Sequence, residues 1–193
     1  MDMPPEQQGE TSDEALLRLY AQGDGRAARI LTARLSPLVY GLAMKLLQDQ
    51  AEAEDVTQEA MLRLWKNAAL WRAGEARIST WLYRVCSNLC MDRLRRRRAI
   101  GLDEIAEPRD DGPDAASRMQ LDQRVAALYK ALEDLPERQR VAVVLRHIEG
   151  LANPEIAEIL EITVEAVESL LARGRRALKV LLGSQREELG FEE

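Results

Sequence analysis

The chain predicts an all-α fold of two small helical domains joined by a flexible acidic linker, on three observations. Strand-like alternation of apolar and polar residues is absent along its 193 residues, and Ala, Leu, Glu and Arg, all strong helix formers, dominate. Gly and Pro recur at spacings that suit helices of about ten to twenty residues. One internal stretch, residues 99–117 with the text AIGLDEIAEPRDDGPDAAS, loses all periodicity and gathers prolines, glycines and acids, which is the composition of a tether. The expected division is therefore 12–98, an acidic linker over 99–117, and 118–183.

Each element follows from local signals. Ser12 or Asp13 can cap a helix running through Tyr20, a second helix runs from about Asp24 to Leu47, and a third from about Ala51 to Lys66. Gly74 to Arg77 reads as a short loop before a helix that starts near Thr80. Beyond the tether, Leu121, Val125, Leu128 and Leu132 recur at steps of three and four and mark one buried seam. Leu135-Pro136 starts a helix that ends near Gly150. Asn153-Pro154 reads as an N-cap followed by Pro at the first helical position, with the helix continuing to Leu160. Glu161-Ile162-Thr163 is a three-residue turn, and Thr163 caps a last helix from Val164 to about Leu182.

Charge is distributed unevenly. The whole chain carries −6, yet residues 61–98 hold ten basic and two acidic side chains while residues 1–60 hold five and eleven. A basic island can bind nucleic acid in an acidic protein because the local field decides the contact, screened over about 8 Å at physiological salt. The acidic flanks oppose tight autonomous binding, so weak DNA affinity of the free chain is expected. No run approaches the roughly 20 apolar residues of a membrane span. The start, MDMPPEQQGE, is acidic where a secretory signal would be basic and then apolar, so membrane insertion is not expected and a cytoplasmic protein is.

The island sits on the helix after Thr80. Trp81, Arg84, Asn88, Met91, Arg95 and Arg98 recur at alternating three and four steps as one stripe, with Leu82, Val85, Cys86 and Leu89 on the opposite side. Such a helix buries its apolar side and turns aromatics and cations outward, the combination that stacks on bases beside a phosphate backbone. An ordinary amphipathic helix with a solvated Arg end would share part of this pattern. Cys86 and Cys90 lean to the buried side, where Cys behaves as a small hydrophobe. The single histidine, His147, is too far off to complete a zinc set, and neither a metal nor a cofactor is implied.

Two further faces carry information. In the third helix Asp55, Gln58, Glu59, Leu62 and Lys66 share one side and Ala53, Ala60, Met61 and Leu64 the other. An exposed Leu among carboxylates suits a protein partner with a basic, apolar-centred surface, although single exposed leucines are common. The two helices across the Glu161–Thr163 turn match a helix-turn-helix unit whose second helix enters the major groove. On it Val164, Val167, Leu171, Gly174 and Leu178 share the inner face, Glu165, Ala166, Ser169, Ala172, Arg173 and Arg176 point away, and Glu168 flanks them.

The blocks EDVTQEAMLRLW, STWLYRVCSNLCMDRLRRRR and LPERQRVAVVLRHIEGLANPEIAEILEITVEAVESLLARGRRAL, in that order, resemble regions two and four of extracytoplasmic-function sigma factors, the smallest members of the primary sigma family. The resemblance implies a transcription initiation factor that brings core RNA polymerase to promoter DNA. It assigns Asp55, Gln58, Glu59 and Leu62 to the grip on the β′ clamp coiled coil, with a further contact to the β flap. It makes Trp81, Arg84 and Asn88 contacts to unstacked bases of the minus-ten element, with Arg93, Arg95, Arg96 and the rest of the 93–98 group on phosphates. Glu168, Ser169, Ala172 and Arg173 align with positions that read the minus-thirty-five element, while Arg175 and Arg176 hold backbone. An anti-sigma partner that covers the polymerase-binding surfaces is also implied.

The chain departs from the family pattern at four places. Glu168 stands where many relatives are basic, Glu161 where the turn often has Gly, Ile78 where an aromatic is frequent, and Asn153-Pro154 where an aromatic-acidic pair is usual. Glu168 can accept a hydrogen bond from cytosine N4 but cannot clamp a phosphate. Other readings are a stand-alone helix-turn-helix regulator, which leaves the Trp81–Arg98 stripe and the acidic helix without purpose, and a sigma-mimicking decoy for an anti-sigma factor, which usually needs a sensing domain. An enzyme is not expected, since no glycine-rich phosphate loop or nucleophile-His arrangement is present.

Overall fold

The computed structural model describes residues 11–72, 77–100 and 115–183. Among them the chain forms α1 (Asp13–Ala21), α2 (Gly25–Leu47), α3 (Gln50–Asn67), a 3-10 turn (Ala68–Leu70), α4 (Ile78–Ile100), α5 (Ala115–Glu133), α6 (Glu137–His147), α7 (Asn153–Leu160) and α8 (Val164–Gly183). No strand occurs among the described residues, and the fold is all-α. Most of the expected tether, 101–114, lies outside the described residues, as do 73–76 of the expected loop. The ends of that tether are helical: α4 continues through Ala99 and Ile100, and α5 already begins at Ala115.

The helix starts are those that side-chain chemistry dictates. Ser12 Oγ accepts from the Ala15 N–H at 3.2 Å, Asp24 Oδ1 from Arg26 at 2.7 Å, Asp49 Oδ1 from Glu52 at 2.9 Å and Thr163 Oγ1 from Ala166 at 3.2 Å. Each satisfies one of the orphan N–H groups of a first turn. Asp24→Ala is expected to cost about 1 kcal/mol of stability, read as a lowered midpoint in urea unfolding. One start differs from expectation. The cap of α7 is Ala152, not Asn153; Asn153 is the first helical residue and Pro154 the second. The Ala152 N–H donates to Glu155 Oε2 at 2.8 Å, so the acid three positions on supplies the capping bond that the alanine side chain cannot.

In the N-terminal unit α2 is the central helix, packed by α1, α3 and α4. Its buried residues Ala27, Leu31, Leu35, Val39, Leu42, Ala43 and Leu46 meet Ala53, Val56, Ala60 and Leu64 of α3 and Leu82, Cys86 and Cys90 of α4 in one apolar cluster. Tyr20 of α1 tilts against Trp65 of α3 at 4.7 Å between ring centres, closing one end of the bundle. Contrary to the expectation that no segment is apolar enough, α2 meets the length and composition of a membrane span. Its apolar face is the face that forms the bundle core, and Arg26, Arg29, Arg34 and Lys45 lie along the same helix.

In the C-terminal unit α6 packs on α8, and α7 packs on both. Val141, Val144, Leu145, Ile156, Ile159, Val167, Leu170 and Leu171 form its interior. Gly174 is fixed by close approach: a Cβ there would stand 2.7 Å from Val143 Cγ2. The seam expected on α5 is only partly used, with Leu132 buried, Leu128 half-buried and Val125 exposed; the Leu121 side chain lies outside what is described. Tether and seam prediction share one cause, because periodicity marks which side is apolar but not how far a neighbouring helix extends.

The two units are packed together. Helix α4 lies against α6 and α7, and α2 touches α6, so the buried cluster runs continuously through both.

Candidate nucleic-acid interface

Helix α4 carries the basic island, and its environment divides the expected stripe. Asn88, Arg95 and Arg96 are exposed, Arg93 is half-buried, and Trp81 and Arg84 are half-buried. Met91 is buried at 7 % exposure, which corrects its placement on the outward stripe. Trp81 stands edge-on to Trp71 at 5.8 Å between ring centres and 84° between planes, so the rings form a T-shaped pair at the head of the helix. Ile78, where an aromatic was the family expectation, is buried at the start of α4 and has a packing role.

The arginine run is not one uniform phosphate surface. Arg97 is spent inside the N-terminal unit: its guanidinium donates to the Leu47 carbonyl at 3.0 Å and lies 3.1 Å from Asp49 and 3.0 Å from Glu52. It thereby caps the C-terminal carbonyls of α2, the favourable place for a cation at a helix end. Arg98 pairs with Glu137 at 3.0 Å and donates to the Leu135 carbonyl at 3.4 Å. Arg95 makes only a long 3.5 Å contact with Asp92 on its own helix, so Arg93, Arg95 and Arg96 remain the arginines of the run without a bond to another helix among those described.

The buried side of α4 holds the two thiols. Cys86 Sγ approaches the Val39 carbonyl at 3.6 Å, and Cys90 beside it is also buried and free. The hydrogen bond with Cys90 first, and burial second, push the Cys86 thiol well above the ordinary range. A thiol held protonated in this way packs as an apolar group.

On α3 the acidic face is open. Asp55, Gln58 and Leu62 are exposed, Leu62 by 52 %, while Glu59 is half-exposed and accepts from Arg63 Nε at 2.8 Å. That bond holds the Glu59 carboxyl below the usual carboxylate range. Next to this face a groove of about 610 Å³ runs between α2 and α3, lined by Ala33, Pro37, Tyr40, Glu54, Thr57 and Gln58 among others. Pro37 has no N–H to return to the Ala33 carbonyl, so a helix-interior acceptor is left without its usual partner in the groove wall.

In the C-terminal unit the outward face of α8 agrees with its periodicity. Glu165, Glu168, Ser169, Ala172, Arg173, Arg175 and Arg176 are exposed, whereas Val167, Leu170, Leu171 and Gly174 are buried. The turn before α8 carries Glu161 in the left-handed region at φ 53°, where Gly is the usual occupant. Its carboxylate lies 3.1 Å from Arg84 of α4. The departure from Gly at this position therefore coincides with an ion pair to the basic helix.

Sequence reasoning missed the polar residues where the units meet. Glu149, in the α6–α7 loop, takes Lys45 Nζ at 2.6 Å and the Tyr83 hydroxyl at 3.0 Å. Burial, and then the Glu149 charge, raise the Tyr83 phenol far above its usual value. Arg140 is buried, donates to the Leu46 carbonyl at 3.0 Å and also to the Glu133 carbonyl. Burial lowers the affinity of its guanidinium for the proton. The signal in the sequence was an arginine on the apolar side of α6, adjacent to Val141 and one turn from Val144.

The basic α4 of one unit and the helix-turn-helix of α7 and α8 in the next are surfaces whose charge and shape suit nucleic acid. The Sigma-70 region 2 family model matches residues 31–100 and the Sigma-70 region 4 model matches 126–178, in that order. The RNA polymerase sigma-H factor of Pseudomonas aeruginosa is 30% identical over 177 residues, 86% of this chain and 91% of that one. ECF RNA polymerase sigma factor SigM of Mycobacterium tuberculosis is 34% identical over 174 residues, covering 90% and 86%. The solved structure of CnrH in complex with the cytosolic domain of CnrY superposes with a TM-score of 0.66 at 28% identity over 90% of this chain and 99% of that one. The sigma factor RpoE of Bartonella quintana, in complex with the anti-sigma factor NepR, shares the fold at TM-score 0.61 and 22% identity, over 80% and 96%. The chain belongs to the extracytoplasmic-function sigma factors of the sigma-70 family.

Proposed function

We propose that the chain binds core RNA polymerase through the α3 face, opens the minus-ten element with α4 and reads the minus-thirty-five element with α8. The observation that carries this reading is the separation of three chemically distinct surfaces in the order of the two sigma regions: an acidic face centred on exposed Leu62, a basic helix headed by Trp81, and a helix-turn-helix whose outward face holds Ser169, Ala172 and Arg173. Asp55, Gln58, Glu59 and Leu62, beside the α2–α3 groove, grip the β′ clamp. Trp81, Arg84 and Asn88 meet unstacked bases, with Arg93, Arg95 and Arg96 on phosphates. Base stacking of about 1 to 3 kcal/mol per base offsets the few kcal/mol of unstacking. Glu168 accepts from a base rather than holding backbone, with Arg175 and Arg176 on phosphates.

Catalysis belongs to the polymerase in this reading, and the chain works in the cytoplasm where the polymerase is. CnrH and the Bartonella RpoE were solved with a bound partner, the latter an anti-sigma factor, which supports control of this chain by a protein of that kind.

Run-off transcription with core polymerase on promoter libraries tests the assignments. Leu62→Ala is expected to weaken core association by about 1 kcal/mol or more, roughly fivefold, without loss of helical structure. Trp81→Ala should retain core binding and lose promoter opening; Trp71→Ala, which removes the edge-on contact and leaves the Trp81 ring in place, separates stacking on bases from that contact. Arg173→Ala should alter upstream preference, by about 1 to 3 kcal/mol of discrimination at one base pair. Wild-type behaviour of all three variants would remove the residue assignments.

A further inference from the structure

The close approach of Val143 on α6 to Gly174 on α8 brings the residues that follow them into one neighbourhood. His147, one turn beyond Val143, is the last residue of α6, and Arg175 follows Gly174. Both are exposed, as is Arg146. Arg146 Nη1 donates to the Leu151 carbonyl at 2.8 Å, which pins the guanidinium at the α6–α7 loop and leaves its other N–H groups for an outside acceptor. Arg175 forms no ion pair among the described residues. The carboxylates of the surrounding elements are engaged elsewhere: Glu137 holds Arg98 of α4, Glu149 holds Lys45 of α2 and Tyr83 of α4, and Glu155 of α7 takes the Ala152 N–H. The charges that act on the His147 imidazole are Arg175 from α8 and Arg146 beside it; both are cations, and Glu168, two turns before Arg175, is not among them. Three basic side chains gathered from two helices without a counter-charge repel one another when protonated, and an anion relieves them.

We propose that His147, with Arg146 and Arg175, binds one phosphate diester of duplex DNA and takes up a proton in doing so, which makes promoter affinity depend on pH. The proposal rests on the reading of α8 as the helix that enters the major groove. On α8, Glu168, Ala172 and Arg175 recur at steps of four and three, so the site continues the stripe whose first two members are assigned to the minus-thirty-five bases. A phosphate held at its end fixes the register of the helix on the duplex. Partial burial first, and the Arg175 and Arg146 charges after it, hold the imidazole below its ordinary range, so at neutral pH it is uncharged in the free chain. A phosphate adds a negative charge and favours the imidazolium. The bound imidazole therefore titrates at higher pH than the free one. Affinity for DNA is level above the bound midpoint, rises as pH falls through it, and is level again below the free midpoint.

His147 is the one histidine of the chain, so its imidazole gives a proton resonance free of overlap with others of its kind. Followed by NMR in the full chain, its titration midpoint should move to higher pH when a mixed-sequence duplex of about twenty base pairs is added at low salt. Arg175→Gln should raise the midpoint of the free chain and shrink the movement caused by the duplex. In fluorescence anisotropy with the same duplex, wild type should bind about fivefold more tightly near pH 6 than near pH 8. His147→Gln should lose that gain, and His147→Arg should show the tighter binding at both, a rescue that a packing role would not give. A midpoint that is the same with and without duplex overturns the proposal. An equal movement with inorganic phosphate overturns the assignment to DNA. The backbone amides of Ser169, Ala172 and Arg173 report groove contact independently. A duplex that moves those amides and leaves the imidazole unmoved removes the phosphate site and leaves the reading of α8 standing; the reverse leaves the site standing and removes that reading.

Discussion

Leu82→Ala should destabilise the N-terminal unit by about 2 to 5 kcal/mol, the range of large-to-small substitutions at fully buried sites that cannot collapse. Leu82 is 0 % exposed on α4 and belongs to the cluster that joins α4 to α2. Removing its isobutyl group leaves a void bordered by helices whose backbones are fixed by caps at Asp24 and Asp49. Under the proposed assignments the loss reaches function as well, because α4 carries Trp81, Arg84 and Asn88. Asn88→Ala on the exposed side of the same helix should change stability by less than about 0.5 kcal/mol. Measuring both in urea, with far-ultraviolet circular dichroism as the signal, checks the prediction; equal effects would show that α4 is not seated through Leu82.

Gly174→Ile should be the most damaging single change in the C-terminal unit. Even the first carbon of a side chain would meet Val143 Cγ2 at 2.7 Å, with the Gln139 carbonyl at 3.7 Å behind it. Alanine at this position gains up to about 1 kcal/mol of helix propensity against that clash. Isoleucine adds branched volume for which α6 must move, and overpacking costs about 1 to 3 kcal/mol or more. The displacement occurs between α6 and α8, so it tilts the face that carries Ser169, Ala172 and Arg173. Duplex binding and transcription from a dependent promoter should both fall, and Val143→Ala in the same chain should restore part of each. If Gly174→Ile melts like wild type, the close approach of α6 and α8 is not a constraint on the fold.

Much of the fold was legible because helical chemistry is local. The caps at Ser12, Asp24 and Thr163 satisfy N–H groups two or three residues away, so the residue type and the helix start are linked within one turn. The inner and outer faces of α8 follow from periodicity alone, and its buried Val167, Leu171 and Gly174 lie where the spacing predicts. The α7 start differs from expectation because Asn153-Pro154 is a strong cap signal, while the bond that forms is donated by the Ala152 N–H to the Glu155 carboxylate. On α4 a single member of the stripe, Met91, differs from expectation, and for a different reason. Three-four spacing identifies a shared side, but it does not fix how deeply each residue on that side is packed, so Met91, expected outward, is buried beside exposed Asn88 and Arg95.

By itself the sequence determined the helical class, the order of the two units, the basic character of α4 and the acidic face of α3, because each depends on residues within one or two turns of one another. Only the tertiary structure decided which of the cations are available. Arg97 is consumed at the end of α2, Arg84 and Arg98 are held by Glu161 and Glu137 from far along the chain, and Arg95 and Arg96 remain exposed. The physical reason is that a guanidinium is placed by its own helix but satisfied by whichever carboxylate the packing brings within about 3 Å, and that pairing depends on how distant segments meet.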